Sequence, residues 1–321
     1  MTDQTVPPNT QADLPETPVR QVMVVDAPLV APASTGGLFE VFRRHYLLRL
    51  LVRKEIQARY QGSLLGLMWS YVQPLVRFSM YFFVMGLILN LHKSVPNYAI
   101  HMFCAIVFVH YFTETFSNGT RSIVQNKAIV RKMAMPRELF PVASVIVSMI
   151  HTFPQLLIVF LGAMASGWHP DLAGVLAGLL GAAIITVFGT ALALLFSAMN
   201  VFFRDFQNIV ATLTIFTHWA VPMIYPFERL AMSQSIPTPV YDAYLCDPLA
   251  VAVILLQRCF WLPTQPVLNF HHLNDASQIG FPYVPHHLFL LGFVMLAASF
   301  VVLVLCQVAF TRMENKIAER V

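Results

Sequence analysis

The segment RKEIQARYQGSLLGLMWSYVQP, residues 53–74, passes from a cluster of charged side chains directly into a long apolar stretch. The chain before it is mostly polar or cationic, whereas nearly everything after it, up to about residue 310, has the pattern of segments that are embedded in a bilayer or cap it. Junctions of this kind mark the entry of a chain into a lipid bilayer, whose hydrocarbon core is spanned by about 20 apolar residues.

Composition indicates an integral membrane protein. Hydrophobic residues make up 57% and charged residues 11% of the chain, and the mean hydropathy is +0.65, whereas about a quarter of residues are charged in soluble domains. The net charge of +4 does not indicate nucleic-acid binding, because the cations lie in segments that flank the apolar stretches. We therefore expect contact with membrane lipids and none with nucleic acid.

The apolar stretches predict an all-α protein with six transmembrane helices. One further apolar run, residues 248–261, is too short to span and is interpreted as a re-entrant or interfacial helix between the fifth and sixth spans. The six predicted spans cover residues 66–91, 98–117, 141–166, 171–199, 208–227 and 287–311.

The distribution of Lys and Arg predicts the orientation. One set of flanks holds most of these cations, while the opposite flanks hold only Lys93, Arg229 and Arg258. Because cytoplasmic loops carry the excess of Lys and Arg, both termini of this multi-pass chain are expected in the cytoplasm.

The chain divides into a tail and one membrane domain, residues 38–321. Residues 1–37 are rich in Pro and acidic side chains and lack the features of a secretory signal, which predicts a disordered cytoplasmic tail. The cysteines and adjacent His pairs (His271-His272, His286-His287) lack metal-ligand spacing, so no metal site is expected. For Cys246 and Cys259 two interpretations remain open: a disulfide between them, and two free thiols.

An amphipathic interface helix is predicted over residues 38–58. A helical wheel puts Leu47, Leu48, Leu51, Val52 and Ile56 on one side and Arg49, Arg53 and Gln57 on the other, with Leu50 among the cations. Two interpretations remain open and are compatible: an anchor on the membrane surface, and a lever that touches a cytoplasmic partner.

Two ionisable residues lie within predicted spans, Arg77 in the first and Glu114 in the second. Charges inside a bilayer are energetically expensive. The pair either neutralise each other or reach toward the interface, or else Arg77 faces a polar pathway and meets an anionic substrate, which suits guanidinium geometry.

Aromatic residues are dense in the first, second and fifth spans, and two prolines interrupt the fifth. The aromatics either form interface belts and packing, or line a conduit in which sugar rings stack. Non-helical backbone at membrane depth is tolerated only where it is buried in protein or lines a wet cavity, so Pro222 and Pro226 indicate a pathway lining or a gate. Pro74 and Pro154 predict kinks in the first and third spans. The candidate pathway residues are Arg59, Trp69, Arg77, Tyr81, Tyr111, Phe216, Trp219 and Tyr225.

No Gly in the sequence is followed by Lys, so the chain has no GxxxxGK[ST] phosphate loop. Transport driven by ATP would need another polypeptide to bind ATP and Mg²⁺, and this chain would bind no cofactor. The basic segment 118–140 is the predicted docking surface, because it has the pattern of a short amphipathic helix. Its candidate coupling residues are Ile123, Val124, Lys127, Ile129, Val130, Arg131 and Lys132.

With these residues assembled, the chain resembles the permeases of type-2 ABC polysaccharide exporters over most of residues 45–312. The resemblance is carried by order and spacing across the spans. The matching residues are Arg53, Glu55, Arg59, Tyr60, Ser63, Leu65, Gly66, Trp69 and Pro74, then Asn126 through Ile129, Lys132, Pro136, Glu138 and Pro141, then Arg204-Asp205 and Pro222 to Pro226.

The resemblance implies a homodimer in a bacterial plasma (inner) membrane, with two separate nucleotide-binding ATPase subunits. It also implies external gate helices within 228–286, where Asp247 stands in place of the family's usual Asn and puts identical gate hydrogen bonding in question. The Pro-rich tail and His-rich external segment are similar to those of mycobacterial exporters of the lipid-linked galactan precursor. The cargo would then be a polyprenyl-pyrophosphate-linked glycan.

Two alternatives are kept open. The first is a permease of the same class with other cargo, such as teichoic acid, O-antigen, a drug or a lipid. The second is a membrane transferase acting on lipid-linked sugars, for which only Glu114, Asp205 and Glu228 are suitably located acids.

Overall fold

A computed structural model describes residues 37–93, 95–133, 135–231, 237–264, 284–285 and 287–320. The predicted tail lies almost entirely outside these residues. Helices make up the regular structure, and the described residues contain no strand, which confirms the all-α prediction. The helices are α1 (Gly37–Arg43), α2 (His45–Tyr60), α3 (Trp69–Ile88), α4 (Tyr98–Gln125), α5 (Lys127–Lys132), α6 (Leu139–Ala165), α7 (Leu172–Phe202), α8 (Phe206–Ala220), α9 (Phe227–Ala231), α10 (Thr238–Leu245), α11 (Pro248–Phe260) and α12 (Leu288–Arg320).

Five helices, α3, α4, α6, α7 and α12, are long and apolar enough to cross a bilayer, so the chain is a multi-pass membrane protein. α3 stays helical through Pro74 and ends in the π-helical turns Phe82–Ile88, and α6 stays helical through Pro154. α10 and α11 meet at a 73° bend and together form either a broken sixth span or a re-entrant loop.

The fifth predicted span, 208–227, is wrong in length. α8 has 15 residues and ends at Ala220, so it extends about 22 Å, less than the roughly 30 Å of the hydrocarbon core. The chain is non-helical from Val221 to Pro226, because Pro222 and Pro226 lack the N–H that a helix needs and fix their own backbone angles.

Helix α4 forms the centre of the fold and packs against α6, α7, α8 and α11. It runs to Gln125, eight residues beyond the predicted end of the second span. Gly119 permits its contact with α7, because a Cβ atom at that position would lie 2.4 Å from the Cβ of Ala193. The close approach therefore depends on the missing side chain.

Helix α11 is enclosed by protein on all sides, since every residue from Leu249 to Cys259 is buried. α11 is therefore a core helix of the chain, and its re-entrant or interfacial position in the membrane stays a prediction. Asp247 begins the helix by accepting a hydrogen bond at Oδ1 from the backbone N–H of Leu249, 3.0 Å away. Near its end, Arg258 pairs with Asp171, with 2.6 Å between Nη2 and Oδ2.

The amphipathic segment 38–58 consists of two helices, α1 and α2, which are separated at Arg44. Leu47, Leu48, Leu51, Val52 and Ile56 are buried or half-buried, whereas Arg49, Leu50, Arg53 and Gln57 are exposed. The burial of these side chains thus follows the two faces expected from the wheel.

Polar contacts join α2 to the rest of the chain. Lys54 Nζ donates to Asn126 Oδ1 at 2.7 Å, and Ser144 on α6 donates to Glu55 Oε2 at 3.4 Å. Burial raises the pKa of the Glu55 carboxyl above its ordinary value, despite this bond and the nearby charges of Lys54 and Arg59.

The segment 118–140 is more helical than predicted, because residues 118–125 belong to α4 and α5 follows after Asn126. Ile123 is completely buried in a core beside Leu139 and Phe140, so its side chain is not exposed on the predicted docking surface. Ile129 and Val130 pack against the same core, whereas Lys127, Arg131 and Lys132 are exposed.

The cysteines are free: Cys246 is exposed, whereas Cys104, Cys259 and Cys306 are buried. No disulfide therefore joins Cys246 to Cys259. Among the described residues, no group of three or more His, Cys, Asp and Glu side chains has the arrangement of a metal site. His271, His272 and His286 lie outside those residues.

Candidate functional site

A cavity of about 660 Å³ opens between the end of α2 and helices α3, α4, α6 and α8. Its lining is unusually polar for a protein whose spans are so apolar. The lining residues are Arg59, Tyr60, Ser63, Trp69, Ser70, Gln73, Pro74, Arg77, His110, Thr113, Glu114, Ser117, Asn118, His151, Gln155, Thr214 and His218.

Glu114 of α4 is the hub of this lining. Its Oε1 atom contacts Nη1 of Arg59, lies 3.0 Å from His151 Nδ1 and accepts a longer bond of 3.5 Å from Asn118 Nδ2. His110, one helical turn before Glu114, lies 3.8 Å from Oε2. Three helices thus supply one charged cluster: α2 gives Arg59, α4 gives Glu114 and His110, and α6 gives His151.

Arg77 lines the same cavity without joining this cluster. Within the described parts of the chain, it has no carboxylate within 4.0 Å, although the charge of Glu114 is near enough to act on it. The alternative that Arg77 and Glu114 pair directly is therefore wrong, because Arg59 takes that position. Arg77 presents a guanidinium group to the cavity, and guanidinium binds phosphate or carboxylate through paired donors.

The cavity brings together only part of the predicted pathway set. Trp69 joins Arg59 and Arg77 in the lining, whereas Tyr81, Tyr111, Phe216, Trp219 and Tyr225 do not line it. Tyr111 is buried toward α7, with its hydroxyl 3.0 Å from Thr186 Oγ1. The side chains of Phe216 and Trp219 are 66% and 57% exposed, whereas Thr214 and His218 of the same helix face the cavity.

Sequence reasoning missed most of the polar side chains of the cavity, among them His110, His151, Gln155 and His218. The amide of Gln155 lies 3.2 Å from the Nδ1 atom of His110, so these residues extend the Glu114 cluster. The available signal was the helical spacing of His110 with Glu114 and of His151 with Gln155, at i and i+4 within otherwise apolar spans.

The turn after α8 is locked by hydrogen bonds to its backbone. The Gln257 side chain donates to the carbonyl of Pro222 at 2.8 Å, and the Tyr98 hydroxyl donates to the carbonyl of Ile224 at 2.9 Å. Pro222 and Pro226 are both buried. Pro222 and Pro226 therefore lie in a turn held by hydrogen bonds, whereas the third predicted gate residue, Asp247, caps α11.

A second concave surface, of about 540 Å³, lies between α2 and the α5 region. Leucine and methionine side chains form its floor, and Arg53 and Lys54 give it positive charge. Its lining consists of Leu47, Leu50, Leu51, Arg53, Lys54, Gln57, Ile129, Met133 and Met135.

Comparison with protein families identifies the class to which this architecture belongs. Residues 46–260 match the family model described as ABC-2 type transporter. The chain belongs to the ABC-2 type transporter family. The matched region extends from α2 to the last residue of α11, so it contains every residue that lines the cavity and the turn after α8.

Individual ABC-2 relatives match over most of their length. The O-antigen export system permease protein RfbA of Klebsiella pneumoniae is 25% identical over 252 residues, which cover 77% of this chain and 89% of the relative. The protein of the same name from Myxococcus xanthus is 27% identical over 195 residues, 60% of this chain and 72% of the relative.

Proposed function

We propose that this chain is the permease subunit of an ATP-driven exporter that moves a polyprenyl-pyrophosphate-linked polysaccharide out of a bacterial cell. The proposed cargo is a cell-wall galactan precursor of the mycobacterial type, and the chain itself is not an enzyme. The observation that carries the proposal is a cation-bearing polar cavity within an ABC-2 chain whose relatives include O-antigen export permeases.

The chemistry of the cavity fits the head of such a cargo. Arg77 has a guanidinium group without a carboxylate partner among the described residues, and pyrophosphate is the strongest anion on a lipid-linked glycan. Trp69, Tyr60 and several amide and hydroxyl groups line the same space. Aromatic faces and hydrogen-bonding groups are what sugar rings contact, so the lining suits both parts of the cargo.

The energy source is proposed to be two nucleotide-binding ATPase subunits that hold ATP and Mg²⁺. The groove between α2 and α5 suits a docking partner because its floor is apolar and its rim carries Arg53 and Lys54. Lys127, Arg131 and Lys132 on α5 add exposed positive charge beside it. The cation-rich flanks, both chain termini and this groove would then face the cytoplasm.

A second copy of the chain is proposed to complete the pathway. α3 and α8 expose large apolar side chains, including Met80, Phe83 and Phe216, and these require either lipid or another protein surface. Trp219 and Tyr225 would line a conduit between two copies, with Pro222, Pro226 and Asp247 at its external gate. The segment between α8 and α12 would supply the re-entrant gate helices.

Cargo identity separates the proposal from its nearest alternative, O-antigen export, which the relatives favour. The test reconstitutes the chain with its ATPase in proteoliposomes and compares the transport of lipid-linked galactan, O-antigen and teichoic acid. Galactan export at the highest rate supports the proposal. Export of O-antigen alone would contradict the galactan cargo but keep polysaccharide export, whereas ATP-independent sugar transfer would establish the transferase.

Replacing Arg77 tests the role of the cavity in the same assay. We expect Arg77→Ala to reduce export by about tenfold or more while leaving dimer assembly and ATPase docking intact, because one charge-assisted phosphate contact is lost. Lys93→Ala is the matched control, since Lys93 is an exposed cation that follows the C-terminal end of α3 and does not line the cavity. Wild-type export by Arg77→Ala would contradict an anion-binding role.

A further inference from the structure

The two oxygens of the Glu114 carboxylate have unequal surroundings. Oε1 meets Arg59, His151 and Asn118, whereas Oε2 makes no hydrogen bond within the described parts of the chain and has only His110 nearby. The Glu114 side chain is 10% exposed, but that of Arg59 is 39% exposed. A ligand in the cavity therefore reaches Arg59 before it reaches Glu114.

We propose that Glu114 is a specificity-determining residue of the cavity: its carboxylate occupies Arg59 until a diphosphate displaces it. The cavity then selects lipid-linked diphosphates over monophosphates and carboxylates. This inference rests on the proposed export function and deepens it, because it assigns the rule by which the cargo's head group is recognised.

The selection follows from the number of anionic groups on the ligand. A single phosphate is bound by Arg77, which has no carboxylate partner among the described residues, and gains little more by competing for an arginine already paired. A diphosphate has a second phosphate group, which is more highly charged than a carboxylate. Arg59 therefore exchanges its contact with Glu114 for a stronger contact with this group. The Glu114 carboxylate thus competes for Arg59, and only a ligand with a second phosphate group displaces it.

Displacement does not leave Glu114 without a partner. His151 Nδ1 lies 3.0 Å from Glu114 Oε1 and also contacts Arg59 Nη1. A neutral imidazole nitrogen either accepts from the guanidinium or donates to the carboxylate, but not both at once. When Arg59 turns to a phosphate, His151 becomes free to donate to Glu114, and the penalty for breaking a buried ion pair is reduced.

The position of Arg59 links this exchange to the rest of the chain. Arg59 lies in the last turn of α2. The same helix is hydrogen-bonded to Asn126 by Lys54 and to Ser144 by Glu55. A cargo head group bound to Arg59 therefore acts on the helix that forms one side of the α2–α5 groove.

The test measures anion selectivity on the full-length chain in nanodiscs without an ATPase, so that no nucleotide site competes. Sodium pyrophosphate and sodium phosphate are titrated while tryptophan fluorescence is recorded. Trp69 lines the cavity and reports occupancy, and Trp69→Phe identifies its share of the signal. We expect the wild type to prefer pyrophosphate by about tenfold or more, equivalent to about 1.4 kcal/mol.

Glu114→Gln keeps the size of the side chain and removes its charge. We expect phosphate affinity to rise until the preference for pyrophosphate falls below about threefold, since both arginines are then available to one phosphate. Glu138→Gln is the matched control, because Glu138 is also buried and is held by an amide, at 3.1 Å from Gln307. An unchanged preference in Glu114→Gln would overturn the proposal.

A second variant gives the decision if Glu114→Gln does not fold. Arg59→Gln is expected to lower pyrophosphate affinity to the level of phosphate, because the second phosphate group then has no guanidinium partner. Equal pyrophosphate binding by Arg59→Gln and the wild type overturns the proposal. Failure of galactan export with intact pyrophosphate selectivity would contradict only the proposed cargo, so the two failures are distinguishable.

Discussion

The first two membrane helices, α3 and α4, have the same mean hydropathy of 1.3 over their most apolar eighteen residues, yet their surroundings are opposite. In α4, 78% of that window is buried within the chain, whereas in α3 the share is 11%. α4 carries small and polar residues such as Gly119, Thr115 and Ser122 along its contacts. α3 instead exposes a stripe of large apolar residues at helical spacing: Val76, Met80, Phe83 and Leu87.

This difference teaches that mean hydropathy predicts whether a helix enters a membrane but not what the helix faces there. Protein neighbours in a bilayer require close backbone approach and polar contacts, because lipid is as apolar as Leu or Phe. Small and polar side chains permit the close helix contacts of α4, which also buries large apolar residues, whereas the continuous apolar stripe of α3 stays exposed.

The largest expected effect lies at the contact of α4 with α7. Gly119→Ala places a Cβ 2.4 Å from that of Ala193 and 3.1 Å from its backbone Cα, so the helices must separate, at about 1–3 kcal/mol of unfolding free energy. The midpoint of thermal unfolding in detergent measures this loss. Gly162→Ala on α6 is the control, because nothing lies within 4 Å of its added Cβ; equal midpoints would refute the tight contact.

The next effect concerns the hydrogen bonds that join α4, α11 and the turn after α8. Gln257→Leu leaves the buried His101 ring and the Pro222 carbonyl without their amide partner, which is expected to cost about 1–3 kcal/mol. Chemical denaturation measures the change. Gln125→Leu, at an exposed position of α4, should stay within about 0.5 kcal/mol, and the same loss in both variants would contradict the argument.

A smaller effect is expected where peripheral α2 meets α6. Because burial raises the pKa of Glu55 above 4.5, the folded state binds a proton more tightly than the unfolded state, and stability falls as pH rises through the raised pKa. Glu55→Gln should therefore be more stable than the wild type at neutral pH, by less than about 1 kcal/mol. Unfolding curves at several pH values test this, and the gap should close in acid; a constant gap would exclude titration of Glu55.

The smallest effect on chain stability is expected at Met80 of α3, whose side chain is 67% exposed. Met80→Ala should change the unfolding free energy of one chain by no more than about 0.5 kcal/mol, since it leaves no internal cavity. Static light scattering in detergent then reports whether the population of paired copies falls. A destabilisation of the single chain by more than 1–2 kcal/mol would show that α3 is not peripheral.

Much of the fold was predictable because hydropathy and proline act locally. The apolar stretches located α3, α4, α6, α7 and α12, and the prolines indicated that the fifth span is interrupted. The end of α4 was missed because residues 118–125 are polar enough to resemble a loop, yet they are held by packing: Ile123 is completely buried. Tertiary contact, which no local pattern contains, decided that boundary.

The candidate site was only partly predictable. Arg59, Trp69 and Arg77 were identified as single residues, and the structure adds that they line one cavity. The ion pair of Arg59 with Glu114 joins positions 55 residues apart, and its second partner, His151, lies on another helix. Contacts between residues so far apart leave no pattern in a single sequence. The sequence therefore suggested Arg77, and not Arg59, as the partner of Glu114.

The enclosure of α11 has a consequence for biosynthesis. A helix buried on every face from Leu249 to Cys259 has no surface left for lipid, and its end carries Gln257 and Arg258, which lipid would solvate poorly. Its main neighbours, α4 and α7, leave the ribosome before it does, whereas α12, which also packs against it, leaves later. We therefore expect a stage of synthesis in which the space between α4 and α7 is not yet filled by α11. A chain truncated before residue 248 should then insert into the membrane but remain loosely packed.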